Sequence, residues 1–220
     1  MKTERTLSPY RVLDLTEGGC MVGRKILADL GADVIKIEPP GGNLSRKIGP
    51  FYKDNTDPEK SLFWFAYNTN KRSLVLDIST TAGRDQFNSL VKSSDIIIEN
   101  FPPGHLESIS LGYASLSKIK HDIILASITP FGQTGPKADY KSSDLTAWAS
   151  GGCLYVAGEP DRAPVGISFP QAYLHGGAEA AVGSLIALQH RLMTGEGQHV
   201  DISIQQCVVW CLMNLTGHWE

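Results

Sequence analysis

Short apolar segments recur along the first two thirds of the chain, separated by stretches in which apolar residues repeat at helical spacing. Five of these segments predict β-strands, at residues 11–15, 32–38, 74–77, 95–99 and 122–127. Helices are predicted at residues 24–30 and 80–91, and short helical turns at residues 106–111 and 113–119. A continuous apolar run, as in 95–99, is typical of a strand buried on both faces of a sheet. The alternation predicts an α/β fold with a doubly wound, mostly parallel, Rossmann-like sheet.

One apolar helix, predicted at residues 177–192, dominates the last third of the chain. A Pro-bounded segment, residues 169–175, precedes it and is expected to present side chains at the helix N-terminus, where negative charge is favoured. Gly195 and Gly197 predict a turn into a strand at 199–202, followed by an apolar helix to about Leu215. We therefore expect a Rossmann-like domain at residues 1–150 and a helix-rich continuation at residues 151–220.

The first strand, helix and second strand outline a βαβ unit of the kind that binds nucleotides, and Glu38 closes the second strand. The glycines after the first strand do not follow the G-x-G-x-x-G spacing of dinucleotide sites. A dinucleotide-binding oxidoreductase domain stays an alternative, in which Glu38 would contact the ligand; otherwise Glu38 is a strand-end residue beside a loop. The segment Asn100-Phe-Pro-Pro-Gly104 follows a strand, and ligand loops in such sheets lie at these carboxyl ends.

Composition narrows the function classes. The net charge is −3 without long charged runs, so neither nucleic acid nor an anionic membrane is an expected partner. No apolar run approaches the length of a membrane span and the N-terminus lacks a signal-peptide core, so a cytoplasmic protein is expected. The four cysteines lack metal-ligand spacing except for the Cys207-x-x-x-Cys211 pair, and no metal site is expected. Cys207 and Cys211 share one face of an apolar helix and are expected to be buried thiols.

Eight short motifs occur in an order that resembles the family III CoA-transferases, the CaiB/BaiF type that includes formyl-CoA and carnitine CoA-transferases. They are Arg11-Val-Leu-Asp-Leu-Thr16, the stretch 27–42 with Leu-Gly-Ala-Asp-Val-Ile-Lys-Ile-Glu-Pro-Pro-Gly-Gly, Asn70-Lys-Arg-Ser73, Glu99-Asn-Phe-x-Pro-Gly104, Leu111-Gly-Tyr113, Phe131-Gly-Gln-Thr-Gly-Pro136, Gly158-Glu-Pro160 and Thr194-Gly-x-Gly-Gln198. Each motif is weak alone, but eight in order cover nearly the whole chain.

The resemblance implies coenzyme A, bound as an acyl-CoA substrate, on the domain at residues 1–150. Leu76, Asn100 and Phe101 match family positions that line the CoA site, and Lys141 matches a Lys that contacts the cofactor. Core packing for Phe101 and a solvated surface charge for Lys141 are the alternatives. The basic pair Lys71 and Arg72 could reach phosphates or cap the carboxyl end of a helix. Other family contacts are not met, because Pro39, Ser79 and Ser108 replace basic residues and the first loop is one residue shorter.

The family nucleophile is an Asp whose position is occupied here by Tyr173. In the mechanism that the resemblance implies, the Asp carboxylate attacks an acyl-CoA thioester, and an anhydride and an aspartyl-CoA thioester follow. A tyrosine phenol, with a pKa near ~10, is largely neutral at pH 7 and would form an aryl ester. Glu179 is a candidate for a replacement carboxylate, but it lies six residues further along the helix, almost two turns from Tyr173. His175 could orient a substrate acid or could be an interfacial histidine with its hydrogen bonds satisfied.

The chain therefore resembles the non-nucleophilic subunit of benzylsuccinate-type CoA-transferases. Such a complex would move CoA from a donor such as succinyl-CoA to a carboxylic acid, and a homologous chain would supply the Asp. An interlocked dimer or heteromer is expected, and family members are about twice this length, so a fragment of a longer chain, or one completed by a partner, is expected as well. The alternative within the family is a self-sufficient CoA-transferase with an atypical nucleophile.

Overall fold

The computed structural model describes residues 5–214. The strands within them are β1 (Arg11–Asp14), β2 (Asp33–Glu38), β3 (Arg72–Val75), β4 (Ile96–Glu99), β5 (Ile124–Thr129) and β6 (His199–Ser203). The α-helices are α1 (Val22–Asp29), α2 (Leu62–Asn68), α3 (Thr81–Val91), α4 (His105–Ser108), α5 (Tyr113–Ile119), α6 (Asp144–Ser150), α7 (Gln171–Thr194) and α8 (Ile204–Trp210). Three short 3₁₀ segments lie in the polar loop between β2 and α2.

All six strands form one parallel sheet in the order β3-β2-β1-β4-β5-β6. The chain starts in the middle at β1, runs outward to β3, and then returns past β1 to β4 and on to β6. Strand order thus reverses between β1 and β4, and ligands in such sheets bind in the crevice outside the carboxyl ends at this point. The predicted doubly wound, parallel, Rossmann-like sheet is confirmed.

Alternating strand residues pack two separate cores, one on each face of the sheet. Ile96 and Ile98 pack with α1 and α7, whereas Ile97 packs with α3 and α5. Helix α1 crosses α7 so closely that a Cβ at Gly23 would lie 1.8 Å from the Gly177 carbonyl oxygen. Only glycine permits this approach, and it brings the start of α7 against the loop that follows β1.

Helix α7 begins at Gln171, so the prediction that residues 171–175 precede the helix is wrong. Pro170 is a suitable residue before the first turn, because it carries no N–H that would need a partner. Gly176 and Gly177 lie inside the helix. Both positions need glycine, because a side chain at 176 would collide with Ile204 and one at 177 with the Cys20 carbonyl. The glycines that suggested a helix start therefore mark close packing, and Tyr173 belongs to the first turn.

Two other predictions need correction. Strand β3 starts two residues earlier than predicted and all four of its residues are exposed, which is why the apolar pattern placed it poorly. Cys207 is buried but Cys211 is exposed, because α8 ends at Trp210 and the chain turns there. Leu215, the predicted end of the last helix, lies outside the described residues. Within residues 5–214 no helix is long and apolar enough to cross a membrane.

Candidate functional site

A cavity of about 200 Å³ opens at the carboxyl ends of β1, β2, β3 and β4, where strand order reverses. We call it the edge cavity; its lining includes Leu15, Glu17, Ile37, Pro39, Leu76 and Phe101. The walls are mainly apolar, and the His105 ring stands 4.7 Å from the Phe101 ring. The structure thus brings Leu76 and Phe101, both predicted as site residues, together in one apolar cavity of the kind that holds a flat ligand group.

Asn100 uses both ends of its side-chain amide to hold the loop beside this cavity. Its Nδ2 donates to the Glu17 carbonyl at 2.7 Å, and its Oδ1 accepts from the Glu17 amide at 2.8 Å. The loop continues through Gly18, Gly19 and Cys20 into α1. Asn100 therefore fixes the backbone that separates the edge cavity from the start of α7.

Tyr173 packs directly on that loop. A Cβ at Gly19 would lie 2.9 Å from the Tyr173 Cβ, so the ring and the shortened loop fit only with glycine at position 19. The phenol donates a long hydrogen bond of 3.4 Å to the Ser142 carbonyl. Burial raises the pKa of Tyr173, and nearby Cys20 and Asp144 add to the shift, so the hydroxyl stays protonated at neutral pH. An aromatic ring, and no carboxylate, occupies this position.

Asp144 is a site residue that the sequence reading missed. Its Oδ1 accepts the Tyr173 amide at 2.9 Å, and its carboxylate also accepts from the Gln171 and Ala172 amides. Burial raises the pKa of Asp144, and these hydrogen bonds oppose the rise only in part. Asp144 therefore caps α7 from outside, a role that sequence alone did not indicate because the residue lies at the start of a different helix.

A second cavity, of about 260 Å³, lies beside this cap, and we call it the helix cavity. Asp144, Trp148, Ile167 and Phe169 contribute to its walls. Trp148 stacks on His175, with ring centroids 6.0 Å apart. His175 thus lies against an indole near this cavity, whereas Glu179 is exposed and lines a different pocket with Cys207 and Asp201. The helix does not bring Glu179 to Tyr173.

The predicted basic residues take three different environments. Lys141 is exposed, on the segment whose Ser142 carbonyl accepts the Tyr173 hydroxyl. Arg72 lies at the start of β3 and pairs with Asp33 at 2.6 Å, at the amino end of the sheet. Lys71 points into the protein, with a side chain only 1% exposed and its ammonium 3.1 Å from Asp14. Of these three residues, only Lys141 lies next to a segment that contacts Tyr173, because it directly precedes Ser142.

Lys71 belongs to a buried group of charges, which we call the charge cluster: Asp14, Arg24, Lys36 and Lys71. Arg24 and Lys36 approach Asp14 at 3.4 and 3.2 Å, and all four side chains are at most 1% exposed. Burial lowers the pKa of Lys71 to about 8, which Asp14 only partly offsets. Arg24 Nε makes the ion pair with Asp14, and Nη1 has no hydrogen-bond partner among the described residues. Three cations thus share one carboxylate.

Glu38, the acid considered for a dinucleotide site, is already bound. Arg46 donates to its two carboxylate oxygens at 2.7 and 2.9 Å, and the Asn43 amide donates as well. Although burial opposes the shift, these bonds lower the pKa of Glu38 to about 2. Within residues 5–214 no group of three or more His, Cys, Asp or Glu side chains is placed to hold a metal ion.

Comparison with known proteins adds independent information. A sequence profile described as CoA-transferase family III matches residues 7–219. The chain is 38% identical over 213 residues to succinyl-CoA:(R)-benzylsuccinate CoA-transferase subunit BbsE of Thauera aromatica, covering 97% of this chain and 52% of that protein. It is 39% identical over 210 residues to succinyl-CoA:mesaconate CoA-transferase of Haloarcula hispanica, covering 92% and 52%.

Solved structures agree with these sequence matches. A CAIB/BAIF family protein from Brucella suis superposes with a TM-score of 0.89 at 35% identity, covering 98% of this chain and 57% of that one. The Mycobacterium tuberculosis protein Rv3272 superposes with a TM-score of 0.87 at 29% identity, covering 99% and 60%. The chain spans about half the length of the curated relatives that it matches.

Proposed function

The chain belongs to CoA-transferase family III, and on that premise we propose that it forms the coenzyme A site of an enzyme that moves CoA from an acyl-CoA donor, such as succinyl-CoA, to a carboxylic acid. Two of the relatives named above, the benzylsuccinate and mesaconate CoA-transferases, are named for succinyl-CoA. Because the chain spans about half the length of each of these proteins, the activity of a whole CoA-transferase is part of this proposal.

The edge cavity supports a site for the nucleotide end of CoA. Its apolar walls at Leu76 and Phe101 suit the faces of an adenine ring, and the His105–Phe101 pair extends the aromatic surface. Asn100 serves this site by holding the Glu17 loop. Lys141 is the exposed cation that we assign to a phosphate. We leave Lys71 and Arg72 out of the site because carboxylates within the chain already bind them.

The observation that carries the proposed role is the packing of Tyr173 on Gly19. The ring fills the place where the family resemblance expects a carboxylate, and its neutral phenol cannot attack a thioester as a carboxylate does. We therefore propose that this chain is the non-nucleophilic member of a heteromer. A homologous chain would supply the Asp that attacks the thioester carbonyl, forms the acyl anhydride and releases CoA thiolate.

One observation favours a second candidate, in which the chain catalyses the same reaction alone. Asp144 places a carboxylate at the amide of position 173, beside the helix cavity. Its amide hydrogen bonds reduce its nucleophilicity, so we rank this candidate second. Asp144→Asn separates the two, because an amide side chain still accepts an amide hydrogen bond at Oδ1 but cannot form an anhydride.

The test is a CoA-transfer assay with succinyl-CoA and a panel of aromatic and aliphatic carboxylic acids. The chain is assayed alone, and then together with a homologous chain that carries Asp at the position of Tyr173. Turnover only in the mixture, and its loss when that Asp is changed to Ala, supports the proposed role. Turnover by the chain alone that Asp144→Asn removes would instead establish the second candidate and overturn the first.

A further inference from the structure

Glu99, the last residue of β4, joins the wall of the edge cavity to a polar chain that crosses three strands. Its carboxyl group is almost fully buried, and Oε2 accepts the Phe101 amide at 2.6 Å. Ser127, its register partner on β5, lies beside the carboxyl group. Ser127 Oγ is in turn 2.9 Å from His199 Nε2 on β6. A change in the protonation state of Glu99 therefore acts directly on the hydrogen bond to the Phe101 amide.

The surroundings of Glu99 disfavour a charged carboxylate. Glu107 faces it from α4 and Asp201 from β6, and both add negative charge. His105 of α4 stacks on Phe101, and Tyr113 of α5 stacks on His199 at 5.7 Å, so an aromatic ring lies against each end of the polar chain. Burial raises the pKa of Glu99 to about 7; the hydrogen bonds with Ser127 and the Phe101 amide oppose this rise, and the two acids add to it. Burial also lowers the pKa of His199.

We propose that Glu99 is a positioning residue that keeps Phe101 against the edge cavity while its carboxyl group is neutral and lets the Phe101 segment open when the group ionises. A neutral Glu99 can donate a hydrogen bond to Ser127 Oγ, and the Ser127 hydroxyl can then donate a hydrogen bond to His199 Nε2. An ionised Glu99 still accepts the Phe101 amide, but the charge is buried and repelled by Glu107 and Asp201, and outward movement of α4 with Phe101 would hydrate it. Only the consequence for CoA affinity rests on the proposed function.

Amide hydrogen exchange measures the opening without any ligand. If the pKa of Glu99 is about 7 in the closed state and 4.5 in the open one, the protection factor of the Phe101 amide falls about 30-fold between pH 5.5 and 8.5. Glu99→Gln is the informative variant, since its side-chain oxygen still accepts the Phe101 amide and its NH₂ donates to Ser127. In that variant we expect a change of less than about threefold, after correction for the intrinsic exchange rate.

Glu107→Gln is the matched control, because it removes one acid from the same surroundings but leaves Glu99 titratable. It should retain the fall and shift its midpoint to lower pH. The same pH profile in wild type and Glu99→Gln would overturn the proposal. So would a fall of equal size in amides of α3, a helix that carries none of the groups acting on Glu99, since that would indicate general loosening.

CoA itself supplies the second readout. Between pH 6.5 and 8.5, the dissociation constant of CoA should rise more in wild type than in Glu99→Gln, in proportion to the loss of closed protein that the exchange data give and by at most about fourfold; the comparison removes the titration of CoA itself. If CoA binds to neither protein at any pH, the proposed CoA site fails, while the exchange data still decide the role of Glu99. If exchange shows that a sizeable fraction of wild type is open at pH 8.5 and CoA still binds equally to both proteins, the link between Glu99 and the cavity is refuted.

Discussion

Replacing Lys71 with methionine tests whether the charge cluster holds more positive charge than Asp14 can compensate. The Lys71 side chain is 1% exposed, and its ammonium lies 3.1 Å from Asp14 and 2.9 Å from the Asn68 side-chain oxygen. Arg24 and Lys36 already compete for the same carboxylate. Methionine keeps most of the length and volume of the side chain and removes only the charge and its hydrogen bonds.

The size of the effect follows from the pKa of Lys71, which burial lowers from 10.5 to about 8. The folded protein then binds this proton more weakly than the unfolded chain does. Stability therefore rises with pH between about 8 and 10.5, because deprotonation removes a charge that the folded state disfavours. Between pH 7 and pH 9.5 the linked gain in the free energy of unfolding is about 2 kcal/mol.

Urea denaturation at the two pH values measures this gain without adding salt. We expect the free energy of unfolding of wild type to rise by about 2 kcal/mol more than that of Lys71→Met over this interval. Lys92→Met is the control, since Lys92 is exposed at the end of α3 and its removal takes away no buried charge. Equal pH dependence in wild type and Lys71→Met would refute the reasoning. Weakened CoA binding in Lys71→Met, with unchanged stability, would return Lys71 to the ligand site.

Three further outcomes are expected. Arg24→Met should leave the free energy of unfolding unchanged or raise it by about 1–3 kcal/mol, measured in urea at pH 7, because a buried guanidinium whose Nη1 has no hydrogen-bond partner within residues 5–214 is removed while Lys36 and Lys71 still pair with Asp14. A loss above about 3 kcal/mol would show that the guanidinium is compensated. Gly19→Ala should cost about 1–3 kcal/mol, because its Cβ meets the Tyr173 side chain. A double-mutant cycle with Tyr173→Ala should give a coupling of at least about 0.5 kcal/mol, and strict additivity would contradict the packing. Phe101→Ala should weaken CoA binding about tenfold by calorimetry, whereas Phe65→Ala, on the exposed face of α2, should not; equal effects would remove Phe101 from the site.

The sheet could be predicted from the sequence because its central strands are continuous apolar runs and its helices are amphipathic. Strand β3 was misplaced because it is exposed at the sheet edge, where the apolar signal is weak. The early start of α7 could not be read, since its cap is Asp144, 27 residues before the first helical residue. Local spacing carries no information on such a distant partner.

The candidate site, like the fold, could be predicted from the sequence only in part. Leu76 and Phe101 were identified by resemblance and lie together in the edge cavity. Lys71 was ambiguous because a basic residue before a strand can face either solvent or the core, and only the fold shows that Asp14 and Lys36 lie beneath it. The polar chain from Glu99 through Ser127 to His199 crosses three strands that are far apart in sequence, so no motif could indicate it.

The central claim, that this chain holds CoA while another supplies the carboxylate, is tested most directly by locating the covalent intermediate. The chain and its Asp-containing homologue are incubated with succinyl-CoA, quenched and digested, and peptides that carry CoA, or the aspartyl hydroxamate that hydroxylamine leaves in its place, are identified by mass spectrometry. We expect the adduct on the Asp of the homologue and none on this chain. An adduct on the peptide that contains Asp144 or Tyr173 would contradict the claim and establish a nucleophile in this chain.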